Sequence, residues 1–195
     1  LFGSFSYTYY KILCQRMQRL NISMQKFGII KNAVDQGQLD SWKDIYKKGH
    51  KEKMIKDDPS LCWGIDINSL AYAWFLKKVM PIIWKNFSED EKLIYSAYKD
   101  MTSPFSIHRD LKPLPQGVVG MQSLSILVPL SADGSLDNIN KIGTNFFDDD
   151  SNLLECVLWE PNSIIWWKSE VLHSASDFRK EGINSKQFYI THTYV

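Results

Sequence analysis

The sequence predicts an α+β protein in which a helical and mixed segment, residues 1–93, supports a β-rich half, residues 94–195. Apolar residues recur at helical spacing between 69 and 85, whereas beyond residue 120 the chain breaks into short apolar and aromatic runs separated by turn signals. With 195 residues, 44% of them hydrophobic, the chain can bury one good core, so a single domain over 1–195 is the expectation.

In the first half, Ile12, Met17 and Leu20 keep helical spacing, and Trp42 and Ile45 fall on one side of 39–46. The charge run over 47–58 reads as a solvated face, with His50 in it, and Asp57-Asp58-Pro59-Ser60 as a turn. The strongest helix covers 69–85. Ser69 can cap it, Leu70, Ala73, Trp74, Lys77, Lys78 and Pro81 mark a stripe, and Pro81 marks a break. Trp74, Phe75 and Trp84 read as core.

The second half is strand-like over 124–130, 153–159 and 163–167. Turns are expected at Ala132-Asp133-Gly134, Asp148-Asp149-Asp150-Ser151-Asn152 and Pro161-Asn162. Three stretches read as loops around a site: 111–117, 131–145 and 178–184.

The stretch Ile107-His108-Arg109-Asp110-Leu111-Lys112-Pro113 admits two incompatible readings. One is a kinase catalytic loop, which requires a magnesium-binding Asn five residues after the Asp. That position is Pro115, no glycine-rich phosphate loop precedes it, and Ala132-Asp133-Gly134 lacks the residue that would make it a magnesium loop. The other reading is a metal site. Two residues apart on an extended chain, His108 and Asp110 project from one face, and His173 follows downstream after an apolar strand. Two His and one carboxylate on one face, with the remaining positions open, suit Fe(II) that must also bind a cosubstrate and oxygen. The strands between the first and last ligand would carry the chain around a barrel.

On these residues, the half from about 94 to 195 resembles the 2-oxoglutarate/Fe(II)-dependent oxygenase superfamily, closest in layout to its prolyl-4-hydroxylase-like branch. The resemblance implies a double-stranded β-helix, a jelly-roll, cupin-like barrel braced by N-terminal helices. It implies Fe(II) held by His108, Asp110 and His173, with 2-oxoglutarate and O2 as cosubstrates. The segment 182–192 resembles the family's final strand, and Lys186 stands where a basic residue pairs with the far carboxylate of 2-oxoglutarate; Arg179 is the competing cation. A family Tyr that touches the cosubstrate corresponds to Tyr98, with Tyr95 as its alternative. The implied reaction is hydroxylation of an unactivated C–H bond with release of succinate and CO2. Asp110 itself favours this outcome, because related halogenases carry a small residue there to admit chloride. Beyond the metal ligands no catalytic residue is expected.

Independently of that resemblance, Lys186 lies among Phe188, Tyr189 and Ile190, where a cation is costly to bury unless an anion meets it. His192 reads as a strand residue rather than a ligand. The net charge of +1, without a basic stripe, argues against nucleic acid. A peptide or a small molecule is the expected substrate. Cys14, Cys62 and Cys156 are far apart and odd in number, which suggests neither a zinc site nor disulfides and suits a reducing, cytoplasmic setting. No apolar run reaches the length of a membrane span. The chain begins at Leu1 rather than Met and reads as a trimmed or partial sequence. The rival function is a non-catalytic cupin-like barrel that binds a metal or ligand without turnover.

Overall fold

The computed structural model describes residues 25–35, 61–64, 70–110, 121–160 and 162–195. The helices expected over 11–20 and 39–46, the charge run, His50, Ser69, Cys14 and the loop 111–117 lie outside the described residues.

Among the described residues, nine strands form two antiparallel sheets. The larger contains β1 (Phe27–Ile30), β2 (Leu61–Gly64), β3 (Lys92–Met101), β4 (Gln122–Ala132), β7 (Ile164–Lys168) and β9 (Lys186–Tyr194), in the order β1-β7-β4-β9-β3-β2. The smaller has the order β6-β5-β8, formed by β5 (Gly143–Phe147), β6 (Leu153–Leu158) and β8 (Leu172–Ala175). A lone bridge between His108 and His173 adds the segment before residue 111 beside β8. The chain thus passes back and forth between two facing sheets, which is the double-stranded β-helix. The first half also contributes β1 and β2 to the edges of the larger sheet.

Both faces of the larger sheet are covered, and the sequence shows why. On β7, Ile164 and Trp166 join one core cluster, whereas Ile165 and Trp167 join the other. Successive side chains point to opposite faces, so a strand buried on both sides reads as an unbroken apolar run. On β9, Lys186, Phe188, Ile190 and His192 alternate with Tyr189, Thr191 and Thr193. Phe188 and Ile190 belong to the cluster between the sheets, and Tyr189 to the one beneath the helix. Pro129 is tolerated in β4 because the β7 ladder has already ended at Leu127, and the register with β9 shifts just after it.

The outer face is covered by a helical run made of α1 (Leu70–Trp74), a π turn (Phe75–Val79) and α2 (Met80–Asn86). The expected break at Pro81 does not occur. The wide turn delivers the Met80 N–H to the Phe75 carbonyl, and the proline enters at the first turn of α2, where its missing N–H is least costly. The buried stripe is also rotated from the expected one. It passes through Trp74, Phe75, Val79, Met80 and Ile83, and Lys77 and Lys78 face solvent. Phe75 meets the ring of Tyr189 edge-on at 5.6 Å.

The stretch 131–145 is not one loop: it holds the end of β4, the short helix α3 (Leu136–Ile139) and the start of β5. Gly143 is required in β5, because a Cβ there would collide with the Val157 carbonyl of β6. The expected turns are present where described. Asp148 accepts the N–H groups of Asp150 and Asn152, and Asn162 adopts φ 59°.

Candidate metal centre

Backbone pairing builds the site. His108 and His173 exchange both N–H to carbonyl bonds at 3.0 Å, and the Asp110 N–H donates to the Ser169 carbonyl at 3.2 Å. The segment 108–110 is therefore extended and locked against the strand that carries His173, which brings two distant parts of the chain to one point. The two imidazoles lie 4.4 Å apart between ring centres, and one ligand atom from each of His108, Asp110 and His173 falls within 4.8 Å of the others.

Each imidazole is held in the tautomer a metal needs. Nδ1 of His108 donates to the Ser106 carbonyl at 2.7 Å, and Nδ1 of His173 donates to the Val171 carbonyl at 3.0 Å. A carbonyl only accepts, so each Nδ1 carries a proton; each Nε2 faces Asp110, donating to it when the ring is protonated and offering a lone pair to a metal when it is neutral. Those Nε2 atoms lie 3.6 and 3.4 Å from the Asp110 oxygens. Trp167 on β7 donates its indole N–H to Oδ2 of Asp110 at 3.0 Å, which fixes the carboxylate plane.

Electrostatics favour a cation here. Burial alone would raise the Asp110 pKa, but side-chain hydrogen bonding from His108 and the nearby imidazoles of His173 and His192 hold the carboxyl well below the usual carboxylate range. Burial opposes a charge on His108, yet Asp110 and the Ser106 carbonyl raise its pKa. His173 goes the other way, with burial lowering its pKa. Access is asymmetric: the His108 side chain is 38% exposed, whereas His173 is 6% exposed and Asp110 8%. Phe146 and Trp167 wall the buried side, the latter 4.7 Å from the His173 ring.

Lys186 lies at the far end of β9 and is 1% exposed. Its Nζ sits 4.7 Å from the Trp159 ring and 5.3 Å from the Phe178 ring, with no carboxylate in ion-pair range among the described residues. Burial lowers its pKa to about 7.

The expectation for Tyr98 needs correction. Its register partner on β9 is Tyr189, and it packs with Tyr189, Phe75 and Ile126 beneath the helix, on the face opposite Lys186 and the metal group. Spacing along the chain could not reveal this, because a β-strand reverses faces at every residue and β3 shifts register between Leu93 and Tyr95. Tyr95 pairs with His192. Arg179 does not compete with Lys186. It donates from Nε to the Thr102 carbonyl at 2.9 Å, on the exposed 3-10 turn Phe178–Glu181. Arg109 likewise turns outward, donating to the Glu170 carbonyl and to Asp149.

The sequence reading gave no site role to His192, which is 3% exposed. Its Nδ1 lies 3.0 Å from Ser125 Oγ and 3.3 Å from Gln122 Nε2, and Ser125 in turn hydrogen-bonds the Asp110 carboxylate. The signal was available: His192 shares the strand face of Lys186, an even number of residues away.

No family model matches the sequence, and no curated protein does either. Solved structures do match. The non-heme α-ketoglutarate-dependent epimerase SnoN of nogalamycin biosynthesis aligns with a TM-score of 0.69 at 9% identity, over 93% of this chain and 83% of its own. A prolyl hydroxylase from Trichoplax adhaerens, solved with a hypoxia-inducible-factor peptide fragment, has a TM-score of 0.63 at 11% identity, covering 98% and 93%. HygX from Streptomyces hygroscopicus, solved with nickel and 2-oxoglutarate, has a TM-score of 0.61 at 10% identity, covering 92% and 86%.

Proposed function

Because the chain has the double-stranded β-helix fold of the 2-oxoglutarate/Fe(II) oxygenases, we propose that it is an Fe(II)- and 2-oxoglutarate-dependent dioxygenase acting as a hydroxylase. The observation that carries this reading is the triad itself: two Nε2 lone pairs and an ionised carboxylate within 4.8 Å, both imidazoles held by carbonyls in the Nδ1–H form. This donor set suits Fe(II), and its single face leaves positions open. The buried ammonium of Lys186, without a carboxylate partner among the described residues, suits the remote end of a dicarboxylate.

His108, Asp110 and His173 would hold the metal, and Lys186 the far carboxylate of 2-oxoglutarate. When bound, this pair supplies the oxidising chemistry: 2-oxoglutarate and O2 become succinate and CO2 as an unactivated C–H bond of the substrate is hydroxylated. The protein's own residues do the rest. Trp167 holds Asp110 in plane, the Ser106 and Val171 carbonyls hold the Nδ1 protons so that each neutral ring presents Nε2 to the metal, and Phe146 with Trp167 keeps water from the buried side. The substrate would approach past His108, the exposed ligand. A peptidyl side chain, prolyl included, is the first substrate class to test and a small metabolite the second. Among similar folds, the Trichoplax enzyme was solved with a peptide and HygX with hygromycin B.

The test combines metal analysis with thermal shift against 2-oxoglutarate and its unreactive analogue N-oxalylglycine, followed by succinate detection. Stabilisation that requires Fe(II) or Mn(II), together with succinate formation lost in His108→Ala, supports the oxygenase. Bound metal with no succinate under any substrate mixture supports the non-catalytic barrel instead.

A further inference from the structure

Trp159 is 3% exposed, and its indole N–H has no hydrogen-bond partner among the described residues. An orphaned buried donor is rare, because its lost hydration is not replaced. The same indole lies 4.7 Å from Nζ of Lys186, which is itself fully buried and without a carboxylate partner among the described residues. An amine over the face of the indole and the orphaned N–H on its edge thus lie close together between the sheets, the N–H with no acceptor among the described residues. The indole is held firmly. Its backbone N–H donates to the Ile142 carbonyl at 2.9 Å, and its ring meets Phe188 edge-on at 6.1 Å, two residues along β9 from Lys186. Phe178 lies on the other side of Nζ, 5.3 Å away.

We infer that the indole N–H of Trp159 is the second donor to the remote carboxylate of the 2-oxo dicarboxylate, one oxygen meeting Nζ of Lys186 and the other Nε1 of Trp159. This rests on the reading above and adds a specificity-determining residue to it. Tyr98, which the resemblance placed at the cosubstrate, faces the helix instead. A 2-oxo acid whose far end is apolar would leave both donors unpaired, so Trp159 selects for the dicarboxylate over such acids.

The test uses Zn(II)-loaded protein with 15N-labelled tryptophan, read by NMR, and the probes 2-oxoglutarate and 2-oxobutanoate; the latter shares the 2-oxo acid end but lacks the second carboxylate. Among seven indole signals, that of Trp159, identified by contacts to the Phe188 ring, moves downfield with 2-oxoglutarate and not with 2-oxobutanoate. That of Trp167, beside the metal ligands, responds to both. In calorimetry, Trp159→Phe keeps the ring and loses the donor, and weakens 2-oxoglutarate binding roughly 10-fold while leaving 2-oxobutanoate unchanged. If the Trp159 signal stays still as wild-type protein binds 2-oxoglutarate, or if Trp159→Phe binds it as tightly as wild type, the inference is overturned and the oxygenase reading stands. If neither acid binds wild-type protein, both are overturned.

Discussion

The indole N–H of Trp167 reaches from the larger sheet to Oδ2 of Asp110, 3.0 Å away, on the segment bridged to the smaller sheet. One hydrogen bond therefore ties the two sheets together at the candidate metal centre, and the carboxylate is oriented by a residue outside the triad. Trp167→Phe should preserve the packing against Phe146 and His173 and lose only this bond. Metal affinity is expected to fall by about 10- to 100-fold, measured by Mn(II) titration, with the unfolding midpoint of the metal-free protein little changed.

Removing the ligand charge while keeping its shape separates binding from folding. In Asp110→Asn the amide oxygen still accepts from Trp167, so the metal-free protein should fold as before. The stabilisation that Fe(II) or Mn(II) confers on wild-type protein in a thermal melt should disappear, and succinate formation with it. A variant that retains full metal-dependent stabilisation would remove Asp110 from the ligand set.

On the proposed reading, Lys186 makes 2-oxoglutarate binding pH-dependent, with a definite sign. Burial lowers its pKa from 10.5 to about 7, so above about pH 7 the empty site holds a neutral amine. Binding a dicarboxylate then requires proton uptake, and the affinity for 2-oxoglutarate should fall by up to about tenfold per pH unit above that point. Lys186→Arg, which stays charged, should show a flat profile over the same range by calorimetry. The empty protein runs the opposite way. Between about 7 and 10.5 the unfolded chain holds more protons, so stability rises with pH, and Lys186→Met should remove that slope in denaturant titrations.

Tyr98 serves the packing of the helix on the sheet. Tyr98→Phe should leave 2-oxoglutarate affinity unchanged within about twofold and stability nearly unchanged, because the ring packing against Tyr189 is kept. A tenfold loss of 2-oxoglutarate affinity would return this residue to the cosubstrate site.

Phe75 tests the π turn. Its ring is completely buried against Tyr189, and Phe75→Ala should cost about 3–5 kcal/mol in denaturant unfolding, because the wide turn leaves no neighbour free to fill the space.

Where chemistry depends on residue type and short spacing, the sequence was readable. His108 and Asp110, two apart on an extended segment, had to share a face; the apolar run before His173 had to be a strand; and Lys186 had to find an anion or remain a buried cation. The turn at 148–152 was equally plain, since Asp148 needs only its near neighbours.

Other features depended on partners far along the chain. Tyr98 and Tyr95 are both tyrosines on one strand, and the pairing of β3 with β9, register shift included, sets which face each takes. β5 was concealed because its Gly143 looks like a turn residue until the Val157 carbonyl is seen pressed against it. Trp166 and Trp167 are adjacent and chemically alike, yet one lies beneath the helix and the other orients a metal ligand. Local alternation says that neighbours diverge. Which of them reaches Asp110 is settled by sheet pairing, since burial on both faces erases the polar marks that would tell inside from outside.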